Sequence, residues 1–245
     1  MPTQPNNPDD PDERTPCEVL KENSSDPVIQ GKIDSLKGLV ALSNPQREHH
    51  ETAITVNKRG SVMKYKVFNK GVDIGMANAV TVQIELDRFD IMIMHNHFEG
   101  TFPLPQFGDI KTFYTGYKIS PPIRRNAYTF YTLNYNGTEY AFRMNDTTAM
   151  DALFAGLHQD TVTSTNDEDK VARQKIFDIF KENGFKENLD YTEEKALKLF
   201  MNVLNDSDMG SGNGIHLYRK NNSTNRWSKL KLNPDGEVGE DECPL

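Results

Sequence analysis

The chain has 245 residues, a formal charge of −8 at pH 7 and two cysteines. That length is enough for one large domain whose core needs no disulfide staples. The acidic balance excludes a general affinity for nucleic acid or for an anionic membrane surface. No stretch approaches the ~20 apolar residues that span a bilayer.

The opening MPTQPNNPDDPDER has no basic start and no apolar core, so it is not a Sec-type signal. The chain is therefore expected to be cytoplasmic or exported by a non-Sec route. Residues 1–15 have almost nothing to bury and read as a disordered leader. A helical pair is expected over 16–44 and the main domain over 45–245. Cys17 and Cys243 lie near opposite ends, too few for a disulfide framework or a Cys-rich zinc site. Two free thiols are the default expectation; in an oxidising compartment, one bridge tying the ends is the alternative.

From Cys17 to Leu42, Leu20, Val28, Ile29, Ile33, Leu36, Leu39 and Val40 recur at helical intervals, and Ser25 or Asp26 can cap the second helix. Residues 51–57 read as a strand, Lys58-Arg59-Gly60 as a turn and SVMKYKVF as a second strand. Residues 79–86 alternate like a strand. IMIMHNH, from Ile91, is a continuous apolar run ending in polar residues, the pattern of a buried central strand with functional groups at its end. Asp109 opens a helix. AYTFYTLNY and TEYAFRM form a hairpin across Asn136-Gly137. Helices follow at 146–158, 169–183 and 192–205, with 159–168 as a flexible connection, and GIHLYRKN and RWSKLKLN make a last hairpin. No solenoid or propeller repeat appears. The fold class is α/β, with a mixed sheet assembled from hairpins and flanked by helices.

Chemistry concentrates between His95 and Asp109. Histidines at i and i+2 of a strand project from one face and can meet one cation. A turn containing Gly100, Pro103 and Pro105 can bring Asp109 back as a third ligand. Two nitrogens and one carboxylate leave a fourth tetrahedral position open, as in catalytic rather than structural zinc sites. An H-x-H alone usually means little, and an acidic residue at a helix start is usually a cap. The combination points to a metal.

Other features carry less. His49 and His50 are adjacent on a strand and point to opposite faces, so they read as solvated. Gly210-Ser211-Gly212-Asn213-Gly214 lacks the Lys-Ser/Thr end of a P-loop and reads as a loop before a strand. His216 reads as a half-buried structural histidine, and Trp227 with Tyr218 as packing across the last hairpin. Arg124-Arg125 is too sparse for a nucleic-acid footprint.

The run His95-x-His97, spacer, Gln106-Phe107-Gly108-Asp109 resembles the JAB/JAMM (MPN-related) family, whose motif is H-x-H, a spacer, then S-x-x-D. The resemblance implies a JAB/MPN-like (cytidine-deaminase-like) fold in which His95, His97 and Asp109 hold zinc (Zn2+). A glutamate on an earlier strand is the family's general acid/base, and Glu51 matches it better than Glu48. Cys17-Glu18-Val19-Leu20-Lys21, the helix 192–205, GIHLYRK and NRWSKLKL are similar to JAB-like modules near the C-termini of secreted multidomain bacterial proteins, including polymorphic toxins. Similarity covers most of residues 16–235, and only the H-x-H…D core is specific.

Two positions depart from the family: Phe98 stands where it often has Pro, and Gln106 where it has Ser. Gln106 or Thr101 could supply the missing oxyanion donor. The resemblance implies a zinc-dependent hydrolase of peptide or isopeptide bonds, in the role of an effector or toxin domain. Its expected partners are a protein or peptide substrate and an immunity or secretion-apparatus protein, with no nucleic acid and no membrane. The Gln106 departure motivates the alternative, an inactive JAB-like binding, cargo or adaptor module.

Overall fold

A computed structural model describes residues 14–41, 51–59, 62–69, 84, 86–99, 101–154, 167–186 and 191–244. Most of the expected strand at 79–86, with His49, His50, Glu48 and Gly100, lies outside these residues, as does nearly all of the leader and most of the 159–168 connection; residues 84 and 86 are described and carry no strand assignment.

Helices α1 (Pro16–Ser25) and α2 (Pro27–Val40) form the expected pair. Thr15 and Glu18 close a capping box on α1. Asp26 alone caps α2, accepting from the N–H groups of Val28 and Ile29. Thr15, assigned to the leader from sequence, is thus part of the helix signal.

Strands β1 (Thr52–Arg59), β2 (Val62–Asn69), β3 (Asp90–Asn96), β4 (Thr129–Leu133), β5 (Glu139–Met144), β6 (Ile215–Asn221), β7 (Arg226–Leu232) and β8 (Val238–Glu242) build one sheet in the order β2-β1-β3-β4-β5-β6-β7-β8. β1 runs through the expected turn residues Lys58 and Arg59. Only β3 and β4 pair in parallel. A parallel pair needs a crossover, and α3 (Phe107–Ile119) lies within it. Every residue of β3 is buried, as its unbroken apolar run requires of a strand covered on both faces.

The two faces carry separate cores. On one, α3, α5 (Asp167–Glu182) and α6 (Glu193–Asn205) bury Ile93, Phe130, Tyr140 and Phe142. On the other, α1 and α2 cover Met92, Met94, Tyr131 and Ala141. Helix α4 (Thr147–Leu153) is shorter than expected.

One reading is corrected. Cys17 and Cys243 form a disulfide, with Cα atoms 5.5 Å apart, so neither is a free thiol. Trp227 and Tyr218 share the α1/α2-side core, as diagonal rather than direct partners across the last hairpin. The register sets Trp227 opposite Lys220 and Tyr218 opposite Lys229. Trp227 also meets Tyr131 edge-on and donates from Nε1 to Ser24 Oγ at 2.8 Å, anchoring α1 to β7. His216 is half-buried as expected, 3.0 Å from Lys229 Nζ.

Strand β8 was not visible in the sequence because VGEDE has no apolar alternation. Charge holds it instead: Asp241 pairs with Lys231 at 2.5 Å and Glu242 with Arg226 at 2.7 Å. The glycine-rich run before β6 is a tight loop, with Gly210 at φ +90°, Ser211 at +52° and Gly212 at +81°.

Glu139 is fully buried on the α2 side, with Lys37 Nζ at 2.5 Å and Lys220 Nζ at 3.2 Å from its two carboxylate oxygens. Lys220 is itself buried, so removing the carboxylate strands a charge in the interior. Glu139→Ala should therefore cost about 3–5 kcal/mol in urea unfolding. The disulfide spans 226 residues, and restricting so long a loop in the unfolded chain contributes roughly 5 kcal/mol in the chain-entropy account. Reduction should lower the urea midpoint accordingly; an unchanged midpoint would show that the bridge is not formed in solution.

Candidate metal centre

The alternation of β3 sends Ile93 and His95 to the α3 face and Met92 and Met94 to the α2 face. His95 meets the Phe130 ring edge-on at 5.2 Å. His97 lies just past the strand, but its N–H donates to the Leu133 carbonyl at 2.8 Å, extending the pairing with β4. Between them, Asn96 Oδ1 accepts the Thr52 N–H at 2.7 Å and ties the start of β1 to the end of β3. Ala53 pairs with His95, so one further antiparallel step sets Glu51 opposite His97.

The connection to α3 is pinned rather than loose. Thr101 Oγ1 donates to the Phe98 carbonyl at 2.7 Å. Phe102 is buried and packs edge-on against Phe180, Phe185 and Tyr191. Gln106 is the N-cap of α3 in extended conformation, and its N–H donates to Asp109 Oδ2 at 2.7 Å. Asp109 sits in the first helical turn with its side chain 21% exposed. It is a capping carboxylate and a site residue at once.

These elements bring three donors together. His95 Nε2 lies 2.8 Å from His97 Nε2, 3.7 Å separates His95 Nε2 from Asp109 Oδ1, and 3.9 Å separates His97 Nε2 from Asp109 Oδ2. Zinc bonds of about 2.0–2.1 Å place tetrahedral ligand atoms roughly 3.4 Å apart. With one atom taken from each residue, the three donors lie within 4.8 Å of one another, a short side-chain adjustment from that spacing. Among the described residues, this is the one group of three such side chains able to hold a metal ion.

The electrostatics agree with the chemistry of the donors. Burial lowers His95 to about 3, and burial with the neighbouring His95 lowers His97 to about 4, outweighing Asp109 and the Phe102 backbone, which act the other way. Both imidazoles are therefore neutral ligands at physiological pH. Burial raises the Asp109 carboxyl, opposed by His97 and the Gln106 N–H. Burial, and then the Asp109 charge, raise Glu51 well above the ordinary carboxylate range. Glu51 thus shares the electrostatic field of the metal-binding group. A cation at this spot would reverse the balance for both carboxyls.

Comparisons with family models, curated proteins and solved structures each find no match.

The structure unites His95, His97 and Asp109, and brings Glu51 alongside. Gln106 is within one turn of Asp109. Thr101 occupies the connecting loop with its hydroxyl proton committed to Phe98. Missed from sequence were Asn96, which ties β1 to β3, and the buried polar pair Thr132 and Asn134 on the adjacent β4. In a strand read as alternating, these looked like solvent-facing positions, and only knowing that β4 is covered on both faces would have singled them out.

A metal requires Asp109 as the carboxylate, while burial favours its protonated form. Protons therefore compete with a cation at this raised carboxyl, and affinity for Zn2+ should fall as pH is lowered. The imidazoles, neutral down to about pH 4, compete little for protons above that point. Zinc titration calorimetry in two buffers of different ionisation enthalpy measures the protons exchanged on binding. His97→Ala should lose more affinity than the roughly 100-fold upper range for outer-shell partners.

Proposed function

We propose that this chain is a zinc-dependent hydrolase of peptide or isopeptide bonds, built on a JAB/MPN-like version of the α/β fold. One observation carries the reading: two neutral imidazoles and a carboxylate converge beside a second carboxyl whose proton affinity is raised. Two nitrogens and one oxygen suit zinc better than the all-oxygen shells of magnesium or calcium. His95, His97 and Asp109 would hold it.

Zinc bound there supplies Lewis acidity, which polarises a carbonyl and brings the pKa of water to about 7. The remaining work falls to the protein. The Glu51 carboxylate takes a proton from the attacking water as its oxygen bonds the carbonyl carbon. The same carboxyl then gives that proton to the amine nitrogen as the C–N bond breaks. A raised carboxyl, moderated by the cation, is suited to both roles near neutral pH. Because the Thr101 hydroxyl is committed to Phe98, Gln106 is the better of the two candidates for steadying the oxyanion.

The Cys17–Cys243 disulfide supports an oxidising compartment, hence export and an effector or toxin role with an immunity or secretion-apparatus partner. The commitment of Thr101 also favours the second reading, an inactive binding or adaptor module that retains the metal.

A peptide library assayed with zinc-loaded protein separates the two. Glu51→Gln should keep zinc while losing about 10²–10⁴-fold in turnover. Chelation should abolish turnover and added zinc restore it. Full activity after chelation would sink the hydrolase, and binding without cleavage would select the adaptor.

A further inference from the structure

Four polar atoms at the ends of β3 and β4 are buried and make no hydrogen bond: His97 Nδ1, Thr132 Oγ1, Asn134 Oδ1 and Asn134 Nδ2. Asn134 has no exposed surface and Thr132 almost none. An unsatisfied buried group costs ~1–3 kcal/mol, so an amide with both ends unused calls for an explanation.

Their placement is specific. His95 pairs with Thr132 and Asn96 with Leu133 in the parallel ladder, so the next step sets Asn134 beside His97. Phe130 belongs to the α3-side core, and Tyr131 and Leu133 to the α2-side core. The alternation puts Thr132 and Asn134 on the histidine face. The Asn134 N–H still bonds the Thr138 carbonyl at 2.9 Å, so the strand pattern continues through it. Side chains on one face of neighbouring strands, ~4.8 Å apart, are within reach of each other.

The proton count then decides the role. The 2.8 Å contact between the Nε2 atoms needs a proton on only one of them. When both Nε2 lone pairs face a cation, each ring must carry its proton on Nδ1. His97 Nδ1, which makes no hydrogen bond here, then becomes a buried donor; the Phe102 backbone bears on this ring, and the Asn134 amide is the neighbouring side-chain group left unused.

We propose that Asn134 is a positioning residue: its Oδ1 accepts the His97 Nδ1–H when the metal is held, fixing the tautomer and orientation of that ligand. The inference rests on the metal reading above. It makes the metal-free protein carry an unsatisfied amide so that the ligand is supported when the site is filled.

Asn134→Leu, close in shape, separates this role from packing. It removes two unsatisfied polar atoms, so the metal-free melting temperature should hold or rise. Zinc affinity, measured by competition with a chromophoric chelator, should fall 10–100-fold. Asn134→Asp keeps the acceptor and should restore most of the affinity. In the wild-type protein, zinc addition should shift the Asn134 side-chain amide resonances and protect the His97 Nδ1–H from exchange, a readout independent of any variant's folding. Unchanged zinc affinity in Asn134→Leu, or no response of the Asn134 amide, overturns the proposal. Failure of the wild-type protein to bind zinc at all instead removes the metal reading beneath it.

Discussion

The structure turns on two uncharged imidazoles whose Nε2 atoms meet at the end of a fully buried strand. Burial depresses both, and their Nε2 atoms meet at 2.8 Å. Nothing on a surface would hold two such rings so closely. Pairing on both sides of β3 does, antiparallel to β1 and parallel to β4. The parallel pair is decisive, because it obliges the chain to cross over between β3 and β4, and Asp109 is carried in the helix of that crossover. The third donor is a consequence of sheet topology. β1 then contributes Glu51 by register. A site assembled from strand ends and a helix start holds its geometry better than one built on loops.

The back of the sheet explains why β3 can stay rigid. Met92 and Met94 alternate with Ile93 and His95, and α2 packs on them through Ile33 and Leu36. The helical pair is held there by three different interactions: the Cys17–Cys243 bridge, the Trp227–Ser24 hydrogen bond and the Lys37–Glu139 ion pair. The first of these depends on redox conditions, the last on a desolvated carboxylate. The N-terminal helices are therefore part of the domain's core rather than an appendage, and support the strand that carries the two histidines from the side opposite the candidate donors.

Most of this arrangement was legible where sequence pattern and burial coincide. The apolar run from Ile91, the Asn136-Gly137 hairpin and the Asp26 cap before α2 each reflect one local force, and the structure keeps them; α3 begins at Phe107, two residues ahead of the Asp109 expected to open it. The donors could be read because an H-x-H on a strand and an Asp at a helix start have fixed directions. Long-range facts were hidden. Two cysteines 226 residues apart say nothing about proximity. VGEDE became a strand through lysine and arginine partners on β6 and β7, not through any apolar face. The aromatic side chains of the last hairpin follow a register that composition does not encode. Thr132 and Asn134 escaped because polar residues in an alternating strand look solvated until the second layer covers them.

The same two residues distinguish a metal site from a pair of histidines that merely fill a core. Histidines packed for stability alone would be expected to find partners for both ring nitrogens, since an unmet buried donor or acceptor weakens the fold. Here His97 Nδ1 and both ends of the Asn134 amide are buried without a hydrogen bond, while burial raises the Asp109 carboxyl, and burial with the Asp109 charge raises Glu51. Each feature destabilises the metal-free protein, and a single divalent cation relieves them together. Held by His95, His97 and Asp109, it would occupy the Nε2 lone pairs, leave each ring proton on Nδ1, where the Asn134 Oδ1 would accept a hydrogen bond from His97, and offset the repulsion between the carboxyls.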